Sequence, residues 1–307
     1  MAKVAFIFPG QGSQHVGMGR AACSENEACR GVFILADQVL GEPISRLCFE
    51  GPDEQLQLTT FAQPAILTTS IALLRGLGER CDVVAGHSLG EYSANVAAGT
   101  LAFEEAVTLV RRRGQYMQDA VPIGRGAMAA VLGGDVAMVE RACASVEGIV
   151  APVNYNCPGQ LVIAGETEAV AAATAAILAG GAKVRALPVS APFHCAMMQP
   201  AEDRLAPDLR NTEWHEPQLP IYVNVDATCV TTAEAARNAL VSQVSRPVRW
   251  QQIIERMLAD DVGLFVEIGP GKVLTGMVRR IAKDAKRVNV ESPADFAAAR
   301  AAIAAQR

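Results

Sequence analysis

The run Gly86-His87-Ser88-Leu89-Gly90 offers a nucleophile. It follows a short apolar stretch, Val83-Val84-Ala85, and precedes a helix-like segment from Glu91 to Ala98. In that strand–turn–helix setting G-x-S-x-G acts as a nucleophile elbow. The glycines permit a sharp turn that leaves the serine hydroxyl exposed at a helix N-terminus. There the helix dipole and free N–H groups favour developing negative charge.

A serine nucleophile needs a base, an oxyanion site and a means of selecting its acyl group. Histidine is the base suited to neutral pH, and four are available. His15 lies beside a Gly-rich turn. His87 adjoins the serine, where neighbouring elbow side chains point different ways. His215 sits in a polar, Pro-flanked stretch that reads as surface. His194, within Val189-Ser190-Ala191-Pro192-Phe193-His194-Cys195, follows a predicted strand and is placed to reach back toward the elbow. A hydrogen-bonded core histidine would fit that position too. Asp226, Asp260, Asp261 and Glu267 could complete a triad, and none is distinguished.

Arg111-Arg112-Arg113-Gly114 reads as the end of a helix that begins near Phe103. Basic residues at a helix C-terminus complement the dipole and solvate readily. Three in a row cannot all face water comfortably, however, and one turned inward is a buried cation that requires an anion. Guanidinium binds carboxylate bidentately, each charge-assisted hydrogen bond being worth roughly 1.5–3 kcal/mol net. An inward arginine near the serine, with Arg113 the discriminating position, selects an acyl group that carries a carboxylate.

The elements that must position these residues alternate in type. Lys3 to Phe8 is an apolar strand entering the turn Pro9-Gly10-Gln11-Gly12-Ser13. A dinucleotide fingerprint would need a third glycine where His15 stands. Helical patterns run to about residue 78, then come a Cys81–Ala85 strand, the elbow and its helix. The middle of the chain reads strand 127–132, helix 135–145 capped by Asp135, strands 149–155 and 161–164, helix 167–178 and strand 183–189. That βαββαβ order is ferredoxin-like. A His-bearing loop follows, then more helix, the strand Gly263 to Ile268, the turn Gly269-Pro270-Gly271 and an Ala-rich last helix. The expected fold is α/β: an α/β-hydrolase-like core with a parallel sheet, from residues 1–124 and 190–307, and an inserted ferredoxin-like subdomain, 125–189.

Bulk properties agree with a globular protein. Half of the 307 residues are hydrophobic and 19% are charged, enough to bury a large core. With 27 basic against 32 acidic residues the net charge is −5, which argues against a nucleic-acid partner. The eight cysteines form no C-x-x-C pair and have mostly apolar neighbours, as expected of small buried thiols in a reducing cytoplasm. Val4 to Phe8 is too short for a signal-peptide core. The uncharged stretch Gln55 to Leu74, with its central Pro64, reads as a buried helix and its approach loop, not a membrane span.

Beyond these features the chain resembles the malonyl-CoA:acyl carrier protein transacylase family, the stand-alone acyltransferases of fatty acid synthesis. The resemblance rests on Phe8 to Gln14, Gln63-Pro64-Ala65, Gly86 to Gly90, Arg113-Gly114 with Met117, and Asn154-Tyr155-Asn156-Cys157-Pro158-Gly159-Gln160. It continues through Pro192-Phe193-His194-Cys195, Pro247-Val248-Arg249-Trp250 and Glu267-Ile268-Gly269-Pro270-Gly271. It implies Ser88 as nucleophile, His194 as general base, and the backbone N–H groups of Gln11 and Leu89 as the oxyanion hole. It puts the family's carboxylate-binding arginine at Arg113, and Met117, Asn156 and Phe193 around the substrate. The family's histidine is oriented by a backbone carbonyl, which falls here on Gln243. The implied reaction is ping-pong: a malonyl group passes from malonyl-CoA to Ser88, then to the phosphopantetheine thiol of acyl carrier protein, with no tightly bound cofactor and no metal. Phe193 before the histidine suits malonyl and crowds a methyl branch.

Two other readings use the same residues. A serine esterase or thioesterase shares the elbow but has no need of Arg113, and a non-catalytic carrier-protein binder needs neither. Arg279, Arg280 and Lys283, or Lys183 and Arg185, are candidate docking patches for an acidic carrier, and each also reads as ordinary solvated charge.

Overall fold

The computed structural model describes residues 2–189 and 191–307. Ser190, part of the predicted His-bearing loop, lies outside the described residues. Among the described residues there are ten strands: β1 (Lys3–Phe8), β2 (Val83–Gly86), β3 (Gly126–Leu132), β4 (Val150–Cys157), β5 (Gln160–Glu166), β6 (Lys183–Ala186), β7 (Ile221–Tyr222), β8 (Cys229–Val230), β9 (Val262–Ile268) and β10 (Lys286–Val290). Six of them form the main sheet in the order β10-β9-β1-β2-β7-β8, parallel throughout except for the β7–β8 pair.

Continuous apolar strands of this kind are buried on both faces, and β1 shows how. Val4, Phe6 and Phe8 pack into one core with the helices Glu27–Leu40, Thr59–Leu77 and Phe103–Asp119. Ala5 and Ile7 face a second core with Trp250, Ile253 and Val278 from the helices Trp250–Ala259 and Val273–Ile281. In register, Phe8 lies beside Gly86 and Ile7 beside Glu267. The C-terminal ends of β1, β2 and β9 therefore meet at one edge, the place where open α/β sheets build their sites.

The four strands β3 to β6 form a separate antiparallel sheet in the order β4-β5-β3-β6. Helices Val136–Ala144 and Thr167–Ala179 cover it through Val139, Cys143, Val170, Ala173 and Ile177. Asp135 caps the first by accepting from the Met138 amide at 2.7 Å. Strand β4 is tied to the main body by two backbone hydrogen bonds, Tyr155 N–H to Val248 O at 2.9 Å and Val248 N–H to Val153 O at 2.8 Å. Arg280 adds donations to Gln160 Oε1 and the Pro158 carbonyl, so this predicted docking residue is engaged within the molecule.

Three expectations need correction. The helix from Phe103 does not end at the three arginines but continues to Asp119. Gly114 reads as a stop, yet it serves close packing: a methyl group there would lie 2.7 Å from the Thr59 carbonyl oxygen of the neighbouring helix. Strand β6 ends at Ala186 instead of 189: the Leu187 amide still donates to the Met128 carbonyl at 3.0 Å, but the Val189 amide turns back onto the Leu187 carbonyl at 2.9 Å and leaves the ladder. Cys229 is exposed, whereas six of the eight free cysteines are buried.

Pro64 sits inside the Thr59–Leu77 helix and cannot donate to the carbonyl one turn earlier. Arg111 Nη1 donates to that orphaned Thr60 carbonyl at 2.9 Å. The helix stays whole, and Arg111 is thereby used structurally. No helix among the described residues is long and apolar enough to cross a membrane.

Candidate active site

The elbow forms because three backbones meet where no side chain fits. A Cβ on Gly86 would fall 1.9 Å from the Gly90 carbonyl carbon, and one on Gly90 would fall 2.0 Å from the Phe8 carbonyl oxygen. Between them Ser88 takes the left-handed conformation, φ 51°, which only a strained turn imposes on a serine. Its hydroxyl stands at the start of the Gly90–Ala97 helix.

His194 comes from the loop that leads into the Gln199–Asn211 helix, and it too has positive φ, 64°. Its Nε2 lies 2.7 Å from Ser88 Oγ, and its Nδ1 lies 2.9 Å from the Gln243 carbonyl oxygen. A carbonyl can only accept, so Nδ1 carries the proton and Nε2 presents a lone pair to the serine. Burial pushes His194 down and the Arg113 charge pushes it further, to about 3. The imidazole is neutral at pH 7, the form a general base requires.

Arg113 does point inward, at 1% exposure. Its Nη1 donates to Gln63 Oε1 at 2.8 Å, and its Nη2 donates to Gln243 Oε1 at 2.8 Å and to Ser88 Oγ at 3.1 Å. These acceptors are all neutral. Among the described residues no carboxylate forms an ion pair with the guanidinium. A buried cation held by two amides and a hydroxyl is built to receive an anion.

The Gly-rich turn after β1 presses against the elbow: a Cβ on Gly10 would meet the His87 carbonyl oxygen at 2.4 Å. The next residue, Gln11, is anchored by its side chain, which donates to Thr59 Oγ1 at 3.0 Å. Neither the Gln11 nor the Leu89 amide donates to a backbone carbonyl among the described residues. Two such N–H groups beside the serine suit a tetrahedral oxyanion.

The remaining predicted residues fall into two groups. Met117 is buried, with its sulfur 3.6 Å from Gln63 Nε2, and so backs the arginine site. Phe193 is buried next to His194. Asn156 does not reach Ser88: its Oδ1 pairs with His87 Nε2 at 2.9 Å, and the His87 ring tilts against Trp250. His15 and His215 are exposed, each beside a glutamate. Glu267 accepts from the Leu274 and Thr275 amides, and Asp260 accepts from Tyr222 and Arg256. Neither meets His194.

Three residues with no role assigned from sequence complete the site. Gln63 holds the guanidinium. Asn224 Oδ1 accepts from the Ser88 amide at 2.6 Å while its Nδ2 donates to the Gly86 carbonyl at 2.7 Å, clamping both sides of the elbow. Glu91, fully buried, accepts from Gln243 Nε2 and from the Asn224 amide, both at 2.9 Å. The only signals in the sequence were a glutamine within an apolar helix, an asparagine interrupting Ile221 to Val225, and an acid directly after the elbow.

The acyl transferase domain family matches residues 5–295. The malonyl CoA-acyl carrier protein transacylase of Escherichia coli (strain K12) is 47% identical over 306 residues, covering 97% of this chain and 99% of the relative. That of Bacillus subtilis (strain 168) is 44% identical over 301 residues, covering 95% of each. The crystal structure of an acyl carrier protein S-malonyltransferase from Vibrio cholerae superposes with a TM-score of 0.94 at 44% identity, covering 97% of this chain and 100% of that one. A malonyl-transacylase solved in complex with a type II PKS acyl-carrier protein gives 0.95 at 44% identity, with 97% and 99% covered.

Proposed function

The chain belongs to the acyl transferase domain family, and within it we propose that it carries a malonyl group from malonyl-CoA to the phosphopantetheine thiol of acyl carrier protein. The observation that carries this reading is the convergence on Ser88 Oγ of a neutral imidazole at 2.7 Å and a buried guanidinium at 3.1 Å.

In this reading the malonyl carboxylate docks on Arg113 and takes the place of the serine oxygen there. Ser88 Oγ attacks the thioester carbonyl as His194 Nε2 takes its proton. The oxyanion is held by the Gln11 and Leu89 amides, each such donor being worth about 10²–10³ in rate. Collapse breaks the C–S bond, and His194 returns the proton to the departing CoA sulfur. The carrier thiol then attacks the malonyl-serine ester, giving its proton to His194, which passes it to Ser88 Oγ. The nucleophile comes from segment 1–124 and the base from 190–307, while 125–189 flanks the elbow where Asn156 meets His87. No cofactor is needed beyond the two thiol carriers, and the site of action is the cytoplasm.

Intact mass after brief incubation with malonyl-CoA tests the first half-reaction, and adding holo acyl carrier protein tests the second. A malonyl adduct that is absent in Ser88→Ala and discharged onto the carrier is expected. Loss of thioester without adduct or transfer would instead mark a hydrolase.

A further inference from the structure

Glu91 is an expensive residue to bury. It has no exposed surface, and among the described residues no cation forms an ion pair with it. One of its oxygens, Oε1, has no hydrogen-bond partner among the described residues. The other, Oε2, does two things. It accepts from Gln243 Nε2, and the same Gln243 nitrogen also donates to the Ser88 carbonyl at 3.0 Å. It accepts as well from the amide of Asn224, whose side chain grips the Ser88 amide. Gln243 in turn holds His194 by its backbone carbonyl and Arg113 by its side-chain oxygen. Nucleophile, base and arginine are thus connected through a single carboxylate oxygen.

We propose that Glu91 is a positioning residue for acyl transfer, setting Gln243 and Asn224 and through them the approach of Ser88 to His194. The proposal rests on the transacylase reading above. An apolar residue could fill the space, but it would leave two buried donors unpaired. An amide could accept in the same place, but with bonds about half as strong as those to an ionised oxygen. The ionised form is therefore the one that tightens the site.

Ionisation of this group falls within the working range. Burial pushes the Glu91 carboxyl up to about 7, against smaller downward effects of Gln243, Asn224 and the Arg113 charge. The titratable and charged groups facing it are Arg113, from the Phe103–Asp119 helix, and Tyr92, its own neighbour. Tyr92 is itself pushed well above its usual range and stays neutral. His194, held near 3, does not titrate around neutrality.

The test is the rate of Ser88 acylation by malonyl-N-acetylcysteamine, a donor without phosphate groups, followed by quenched intact mass from pH 5.5 to 8.5. The wild-type rate should rise about five- to tenfold through a limb centred near pH 7. Glu91→Gln should lose that limb and acylate at the wild-type low-pH rate throughout. Glu91→Ala should lose about 10- to 100-fold in kcat with little change in KM. A limb that persists in Glu91→Gln, or a Glu91→Ala enzyme with the wild-type rate, overturns the proposal. Should Glu91→Ala fail to fold, the Glu91→Gln profile decides alone. A wild-type enzyme that takes up no malonyl group at any pH overturns the transacylase reading and this proposal with it.

Discussion

Arg113 Nη2 rests 3.1 Å from Ser88 Oγ, so the residue suited to bind a substrate carboxylate is also a hydrogen-bond donor to the nucleophile. The serine hydroxyl donates its proton to the imidazole at 2.7 Å and, through one lone pair, accepts from the guanidinium. Docking of a carboxylate on Arg113 frees that lone pair. In the proposed reading, selection of the acyl group and release of the nucleophile are then one event.

Arg113→Ala should accordingly lower Ser88 acylation by malonyl-CoA about 10- to 100-fold, from the loss of charge-assisted bonds. Acylation by acetyl-CoA should fall far less. Arg113→Lys should not restore malonyl transfer, because one ammonium cannot reproduce the fork that spans Gln63 and Gln243. Equal losses for both donors would exclude the carboxylate role.

The same carboxylate should be visible on the histidine. Part of the depression of His194 comes from the Arg113 charge, and a bound anion offsets it. In Ser88→Ala, histidine NMR should show the His194 pKa higher with malonyl-CoA bound than with acetyl-CoA bound. Identical titrations in the two complexes would mean that the carboxylate binds elsewhere.

Glu91 also makes a prediction about stability. Its folded-state pKa lies near 7, above the ordinary 4.5, so the folded chain holds this proton more tightly than the unfolded one. The protein therefore loses stability from this group as pH rises from about 4.5 to 7, by on the order of 3 kcal/mol. Glu91→Gln carries no such penalty. Its Tm advantage over wild type should be small at pH 5 and larger at pH 8, and a constant difference would contradict the assignment.

Gly114→Ala places a methyl 2.7 Å from Thr59 O and 2.8 Å from Thr60 Cα. Both contacts are backbone, so the helices must separate, at about 1–3 kcal/mol. Arg113 is the adjacent residue. Thermal unfolding should show the destabilisation, and KM for malonyl-CoA should rise with it. An unchanged Tm would show that the helices yield without strain.

The alternation of strands and helices made the fold legible in the sequence, and some of the candidate site residues carry signals of their own. Ser88 announces itself by the glycines that its turn requires, and an arginine run on one helix obliges one member to turn inward. The carbonyl of Gln243 carries no side-chain signature, and only family resemblance pointed to it. Asn224 was invisible for a different reason. It reaches Ser88 because β7 pairs with β2 over just Val84–Ile221 and Ala85–Tyr222, too short a strand to leave a periodic pattern. Gly114 misled because helix termination and close helix packing call for the same residue, and only the neighbouring backbone distinguishes them.

The position of β1 has a consequence for how the protein is made. The strand lies between β2 and β9, so its second neighbour is Val262–Ile268, made more than 250 residues after Phe8. At about 5–20 residues per second of synthesis, the apolar run Val4 to Phe8 waits tens of seconds with an open edge. The antiparallel sheet from Gly126 to Ala186 draws all its strands from one continuous stretch and has no such delay. Strand β1 thus keeps one edge open long after the antiparallel sheet has all of its strands.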